Sequence, residues 1–188
     1  MFLKIKGLVI RETRIKDADK FLTLLTAKRG KITVKARGVM RRSSQISSGC
    51  QLFCYSDFTL FEGKSVLSVN AAEPLNMFLG LRADAEKLAL ASYFAEVLDV
   101  LGETDGDAEE LLRLGLNAFY ALSELDKPLE FVRAAFEMRA MAVSGYAPDL
   151  SCCRVCGEKN PPLFLFHLNS GSLCCENCRG KLEGGLAL

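Results

Sequence analysis

The chain has 188 residues, 49% hydrophobic and 25% charged, and a formal net charge of +1. That is ordinary globular composition, long enough for one large domain or two small ones. No apolar run approaches the ~20 residues a membrane span needs, and Lys4 and Lys6 break MFLKIKGLVI into a strand pattern rather than a signal-peptide core, so a cytoplasmic protein is expected.

In chain order, residues 1–73 read as β structure. Strands are predicted over Phe2 to Glu12, Lys20 to Thr26, Lys31 to Val39, Gln51 to Phe61 and Ser65 to Ala71. Arg29-Gly30 and Glu62-Gly63-Lys64 supply turn signals between them. Five short strands in about 70 residues suit a small closed barrel, because closure removes exposed edges. Glu73-Pro74 marks a boundary, after which the hydrophobic period changes from two to about 3.6.

Three helices are expected between 74 and 147. The first carries the stripe Leu90, Phe94, Val97, Leu98 and Leu101 and stops at Gly102. The second opens on a capping signal, Asp107 with Glu110 three residues later, and its stripe is Leu111, Leu114, Ala118, Leu122 and Leu125. The third starts at Pro128 and is apolar on two faces, Leu129-Val132-Phe136-Ala140 and Phe131-Ala135-Met138-Ala142. A helix apolar over most of its circumference is expected at the centre of a bundle. Gly145 and Pro148 end it.

Six of the eight cysteines fall between Ser151 and Cys178. Cys153-Arg-Val-Cys156 and Cys175-Glu-Asn-Cys178 form two Cys-x-x-Cys pairs, each able to place two sulfurs on one ion from a tight turn. Residues 148–188 are therefore expected to hold one structural Zn2+ on Cys153, Cys156, Cys175 and Cys178. Cys152, Cys174 and His167 stay open as replacements for one of these ligands. Four thiolates close the coordination shell, so the zinc is read as a staple rather than a catalyst. Cys50 and Cys54, four apart on a predicted strand, read as small core residues.

The average charge hides an asymmetry. Lys20 to Ser56 contains eight basic and no acidic residues, and the rest of the chain carries −7. Lys31, Thr33, Lys35 and Arg37 share one face of the third strand, and Ile32, Val34 and Ala36 share the other. The strand leads into a Ser-rich loop over 38–49 carrying Arg41 and Arg42, predicted to be flexible, with no apolar run to bury. Counting Lys28 and Arg29 in the preceding turn, seven cations lie within 15 residues. Unmixed positive charge on a small barrel points to nucleic acid, with hydroxyls beside the cations able to donate to phosphate. Barrels of the oligonucleotide-binding (OB) type combine a basic groove with aromatic platforms, which Phe53, Tyr55, Phe58 or Phe61 could supply.

No phosphate-binding Gly-rich loop, no G-x-S-x-G and no His-x-Glu occur, and a single His disfavours a Ser–His or Cys–His nucleophile. A non-enzyme is expected. The acidic pairs near 105–110 sit at a helix start, where they complement the dipole.

Three stretches carry a resemblance. They are GLVIRETRIKDADKFLTLLTAKRGKITVKARGV; Ala36-Arg-Gly-Val-Met-Arg-Arg-Ser-Ser44; and Pro148-Asp-Leu-x-x-Cys153-x-x-Cys156-Gly157 with Gly171-x-x-x-Cys175-x-x-Cys178. Over nearly the whole chain this resembles the RecO family of bacterial recombination mediators. The resemblance implies an α+β fold: an N-terminal OB-type β-barrel (1–73), an α-helical domain (74–147) and a four-Cys zinc-ribbon-like segment attached to it (148–188). It implies a DNA repair role without catalysis, in which the protein binds single- and double-stranded DNA and anneals complementary strands. The implied partners are RecR, the C-terminal tail of single-stranded DNA-binding protein (SSB) and, indirectly, RecA. A cytoplasmic, nucleoid-associated location follows. The DNA candidates are Lys28, Arg29, Lys31, Lys35, Arg37, Arg41 and Arg42. The alternative reading is a zinc-ribbon module for RNA or protein. Members of that family continue for some tens of residues past the second Cys pair, so a chain ending Gly184-Gly185-Leu-Ala-Leu188 reads as a fragment or a shortened form.

Overall fold

A computed structural model describes residues 1–15, 18–63 and 66–181. The chain forms two compact units, Met1–Glu137 and Met138–Leu188. The expected Glu62-Gly63-Lys64 turn, the Ser65 start of the expected fifth strand and the Gly184–Leu188 terminus lie wholly or partly outside the described residues.

The first unit begins with five strands: β1 (Phe2–Arg14), β2 (Lys20–Thr26), β3 (Gly30–Ala36), β4 (Tyr55–Glu62) and β5 (Leu67–Asn76). They close a barrel in the order β1-β2-β3-β5-β4, with only β3 and β5 parallel. Inward positions alternate as a period of two requires: Leu22 and Leu24 on β2, Ile32, Val34 and Ala36 on β3, Phe58 and Leu60 on β4. Cys50 joins this core and Cys54 is also buried, as expected of small core residues. Burial pushes the Cys50 thiol up to about 12, which keeps it unreactive.

On β1 the alternation fails over Gly7 to Ile10, four consecutive buried residues. Val9 faces the barrel core, and Leu8 packs beneath α1 (Ala85–Leu101) and α2 (Glu109–Glu124). A Cβ on Gly115 of α2 would stand 2.7 Å from Leu98 of α1 and 3.3 Å from Leu8, so the glycine lets both helices close on the barrel wall. Phe119 caps this layer edge-to-face against Phe53 and Phe78, with centroids 5.2 and 5.8 Å away.

Several boundaries move. β3 stops at Ala36, and β4 starts at Tyr55 rather than Gln51. Before β4, Phe53 takes a left-handed conformation (φ 67°) that delivers its ring to Phe119 while its N–H donates to Val9 O at 2.8 Å. β5 continues through Pro74 to Asn76, because its antiparallel pairing with β4 persists to Tyr55. The expected capping box of α2 is only half formed. Asp107 accepts the Glu109 N–H at 3.0 Å, whereas Glu110 turns to Arg113. α3 (Leu129–Val143) buries Val132, Phe136 and Ala140, and Phe136 stacks on Phe94 of α1 at 3.9 Å. Its second apolar face is exposed, with Phe131 at 64% and Met138 at 48%, so the helix is not encircled as its composition predicts.

The second unit carries a three-stranded sheet in the order β6-β8-β7, from β6 (Asp149–Cys153), β7 (Phe164–His167) and β8 (Ser172–Cys175). Among the described residues no helix is long and apolar enough to cross a membrane.

Candidate metal centre and nucleic-acid surface

The Cys153 end of β6 and the Cys175 end of β8 bring the two Cys-x-x-Cys turns together. The Sγ atoms of Cys153, Cys156, Cys175 and Cys178 all lie within 4.8 Å of one another. Gly157 shapes the first turn: it has φ +78°, and its N–H donates to Cys153 O at 2.8 Å. A tetrahedral Zn–S length of ≈ 2.3 Å implies sulfurs about 3.8 Å apart, and Cys156 and Cys175 are 3.7 Å apart. All four are free thiols. The backbone N–H groups of Cys156 and Cys175 hold the Cys153 thiol down to about 6. The neighbouring Cys175 sulfur, then burial, push Cys178 up to about 12. The donor set fits a soft divalent cation.

Cys152, Cys174 and His167 are not part of the cluster. Cys174 faces Leu165 across β7 and β8. His167 Nδ1 lies 2.7 Å from Ser170 Oγ.

The seven candidate cations divide into two groups. Lys31 reaches into unit 1, where its Nζ donates to the Asp99 carbonyl and lies 3.1 Å from Asp99 Oδ1. Arg11 of β1 pairs with the other carboxylate oxygen of Asp99, so one buried acid on α1 engages both strands. Lys28 pairs with Asp107 at 3.0 Å and Glu109 at 2.8 Å, and those partners raise its pKa. Lys35 pairs with Asp19 at 3.2 Å. Arg29, Arg37, Arg41 and Arg42 have no acid within ion-pair distance among the described residues, although Asp19 lies near enough to Arg37 to feel its charge.

The 38–49 segment is a run of turns, not the loose loop its composition suggests. Arg41 N–H bonds Gly38 O and Ser44 N–H bonds Arg41 O, each at 3.0 Å. Val39 is buried in the barrel core and Ile46 packs against it. Asp19 accepts the Gly38 N–H at 2.8 Å, and that bond first, then Lys35, holds its carboxyl below the ordinary 3.8. Arg41 and Arg42 are thus presented, exposed, on a tethered turn. Toward the other end of β3, a cleft of about 450 Å3 is lined by Arg11, Arg29, Lys31, Thr23 and Thr33, with Asp99 and Asp105.

Of the expected platforms, Phe53 and Phe58 are core and Tyr55 is half-buried; Phe61 is exposed. Sequence reasoning misses Phe2, Arg11, Asp19 and Asp99. For Asp99 a signal exists: an acid set among apolar residues in VLDVL, on a helix face otherwise buried.

The family model for the Recombination protein O N terminal matches residues 1–78, and that for the Recombination protein O C terminal matches residues 82–188. A DNA repair protein RecO from Acetivibrio thermocellus is 36% identical over 187 residues, covering 97% of this chain and 74% of its own length. Those from Alkaliphilus metalliredigens and Heliobacterium modesticaldum are 34% and 36% identical, covering 96% and 97% of this chain and 73% and 70% of their own. With both halves of the chain matched and an OB-like barrel, helices and a four-cysteine cluster in the corresponding order, the chain belongs to the RecO family of DNA repair proteins.

Proposed function

We propose that this chain is a non-enzymatic, DNA-binding recombination mediator. Residues 1–73 carry the DNA surface, 74–147 the helical domain and 148–188 a structural Zn2+. The observation that carries the reading is the outer side of β3 and the turns after it, where Arg41 and Arg42 are exposed with no ion-pair partner among the described residues, beside an exposed Arg37 near Asp19, itself paired with Lys35. Phosphate backbones are recognised by such cations, with little sequence preference. Lys28, Lys31 and Lys35 are held by carboxylates, with which an arriving phosphate must compete, so they stand behind the arginines as candidates.

Cys153, Cys156, Cys175 and Cys178 hold the zinc. Four thiolates leave no open position for water, so its part is to fix the two turns. In the repair role, the chain brings complementary single strands together, binds duplex, and works with RecR and the SSB C-terminal tail to place RecA on SSB-coated DNA, in the cytoplasm at the nucleoid. The relatives' name, DNA repair protein RecO, supports the repair part of this reading.

The test is annealing of two complementary labelled oligonucleotides by the full chain without nucleotide. Annealing faster than the spontaneous rate, and lost in Arg41→Glu/Arg42→Glu, is expected. A spontaneous rate with the folded, zinc-loaded protein contradicts it and favours a protein- or RNA-binding module.

A further inference from the structure

We propose that Phe2 and Phe61 form a base-stacking platform on the outside of the barrel, which makes this chain prefer single-stranded DNA; the inference rests on the DNA-binding reading above. The two residues are directly opposite on β1 and β4. Their rings pack edge-to-face, with centroids 5.6 Å apart, yet Phe2 is 60% and Phe61 46% exposed. On a strand alternating between core and solvent, an outward position takes a polar residue by default. Two adjacent outward phenyl rings therefore call for an explanation.

Register supplies it. Lys35 of β3 is opposite Ser68 of β5, Ser68 is opposite Phe61 of β4, and Phe61 is opposite Phe2 of β1. Residues directly opposite share a face of the sheet, so these four form one row around the outer wall. The inward neighbours Val34 and Leu60 are fully buried, which puts the row outside. At about 4.8 Å per strand the row spans about 14 Å, short of what the four or more nucleotides of an OB-type site cover. Lys4, two residues along β1 from Phe2 and opposite Thr59, adds a cation with no acidic partner among the described residues. Lys35 of β3 thus lies in one row with the aromatic pair, and Lys4 lies at the next outward position along β1.

Backbone cations plus an exposed ring face are what a single strand uses and a duplex cannot, because the duplex keeps its bases stacked on each other. Exposed Met1 and Glu62 flank the rings, with the Glu62 N–H donating to Met1 O at 3.0 Å, so a protein docking on this apolar spot is the outcome the DNA probes must separate from base stacking. The pair ties β1 to β4 as well, so the test must separate stacking from a purely structural role.

Three probes of equal phosphate count are titrated with the full chain: an oligo-dT strand, an abasic strand and a duplex. The wild-type chain is expected to bind oligo-dT about 5-fold or more tighter than the abasic strand. Phe2→Ala/Phe61→Ala should abolish that gain while leaving abasic and duplex affinity within about 2-fold. Phe2→Leu/Phe61→Leu, which keeps apolar bulk without a π face, should do the same and guards against misfolding. The platform is overturned if the gain survives both double variants, or if all three affinities fall together. It is overturned alone, with DNA binding intact, if the wild type binds all three probes equally. If the wild type binds none, the DNA reading fails first and the platform with it.

Discussion

At the residue scale, Asp99 decides what part of the basic face is available to an anion. Its side chain is 10% exposed, and the carboxylate engages Arg11 and Lys31 together. Burying a carboxylate is unfavourable unless it is paired and hydrogen-bonded, and both conditions are met here. The two cations accordingly clamp α1 to the barrel. Asp99→Ala should lower stability by about 2 kcal/mol, since hydrogen bonds to charged groups contribute about 1.5–3. It should also leave DNA affinity unchanged or raised, because two cations are released. Thermal melting followed by circular dichroism, with a parallel DNA titration, checks both. Lys31 shows why a sequence count overstates a charged surface. Period two places its side chain outside the barrel, but α1, about 70 residues later, covers that part of the wall. The carboxylates that neutralise Lys28 and Lys31 are remote in sequence, and Asp19 stands one residue before the acid-free block begins.

At the element scale, the strands are legible because the barrel interior imposes alternation on β3 and β4 and on β2 as far as Leu24. β1 is less so: helices cover its outer face over Leu8 to Ile10, and the register with β2 shifts between Val9 and Arg11. The 38–49 segment is misread for a different reason. Single apolar residues, Val39 and Ile46, suffice to pin a run of turns although no apolar run exists. Asp19 pins its start. Asp19→Asn should speed hydrogen exchange at the Gly38 amide several-fold without changing the fold, since one charge-assisted bond is weakened. The pH dependence follows from the depressed carboxyl. The tether is fully present above the ordinary value of 3.8 and is lost as pH falls below it, through the folded value. Exchange at Gly38, read by NMR and corrected for its intrinsic pH dependence, should show protection falling only on that acid side.

At the scale of the whole molecule, the four-cysteine cluster was the most legible feature. Each Cys-x-x-Cys turn specifies its own pair of sulfurs, and the pairing of β6 with β8 nearby in the chain brings the two pairs together. The aromatic platform was only half legible, because the pairing of Phe2 with Phe61 depends on closure between the first strand and the fourth. The division into two compact units makes a prediction about metal removal. Stripping zinc with a chelator should release one ion per chain and loosen residues 138–181, while the barrel and α1–α2 keep their structure. Hydrogen exchange measured by mass spectrometry before and after chelation reads this directly. Loss of protection throughout 1–137 would contradict it.

In the proposed DNA-binding role, the arginines without an ion-pair partner, and not all seven cations, meet the phosphate backbone. Fluorescence anisotropy of labelled duplex DNA, titrated at several salt concentrations, tests it. Each phosphate neutralised contributes about −0.9 to the log–log slope, so Arg29, Arg37, Arg41 and Arg42 predict a slope of about −3.6, reduced to about half in Arg41→Glu/Arg42→Glu. A slope near −6 would mean that the paired lysines leave their carboxylates for the DNA. Absence of binding at low salt, or a slope untouched by the double substitution, would contradict the account.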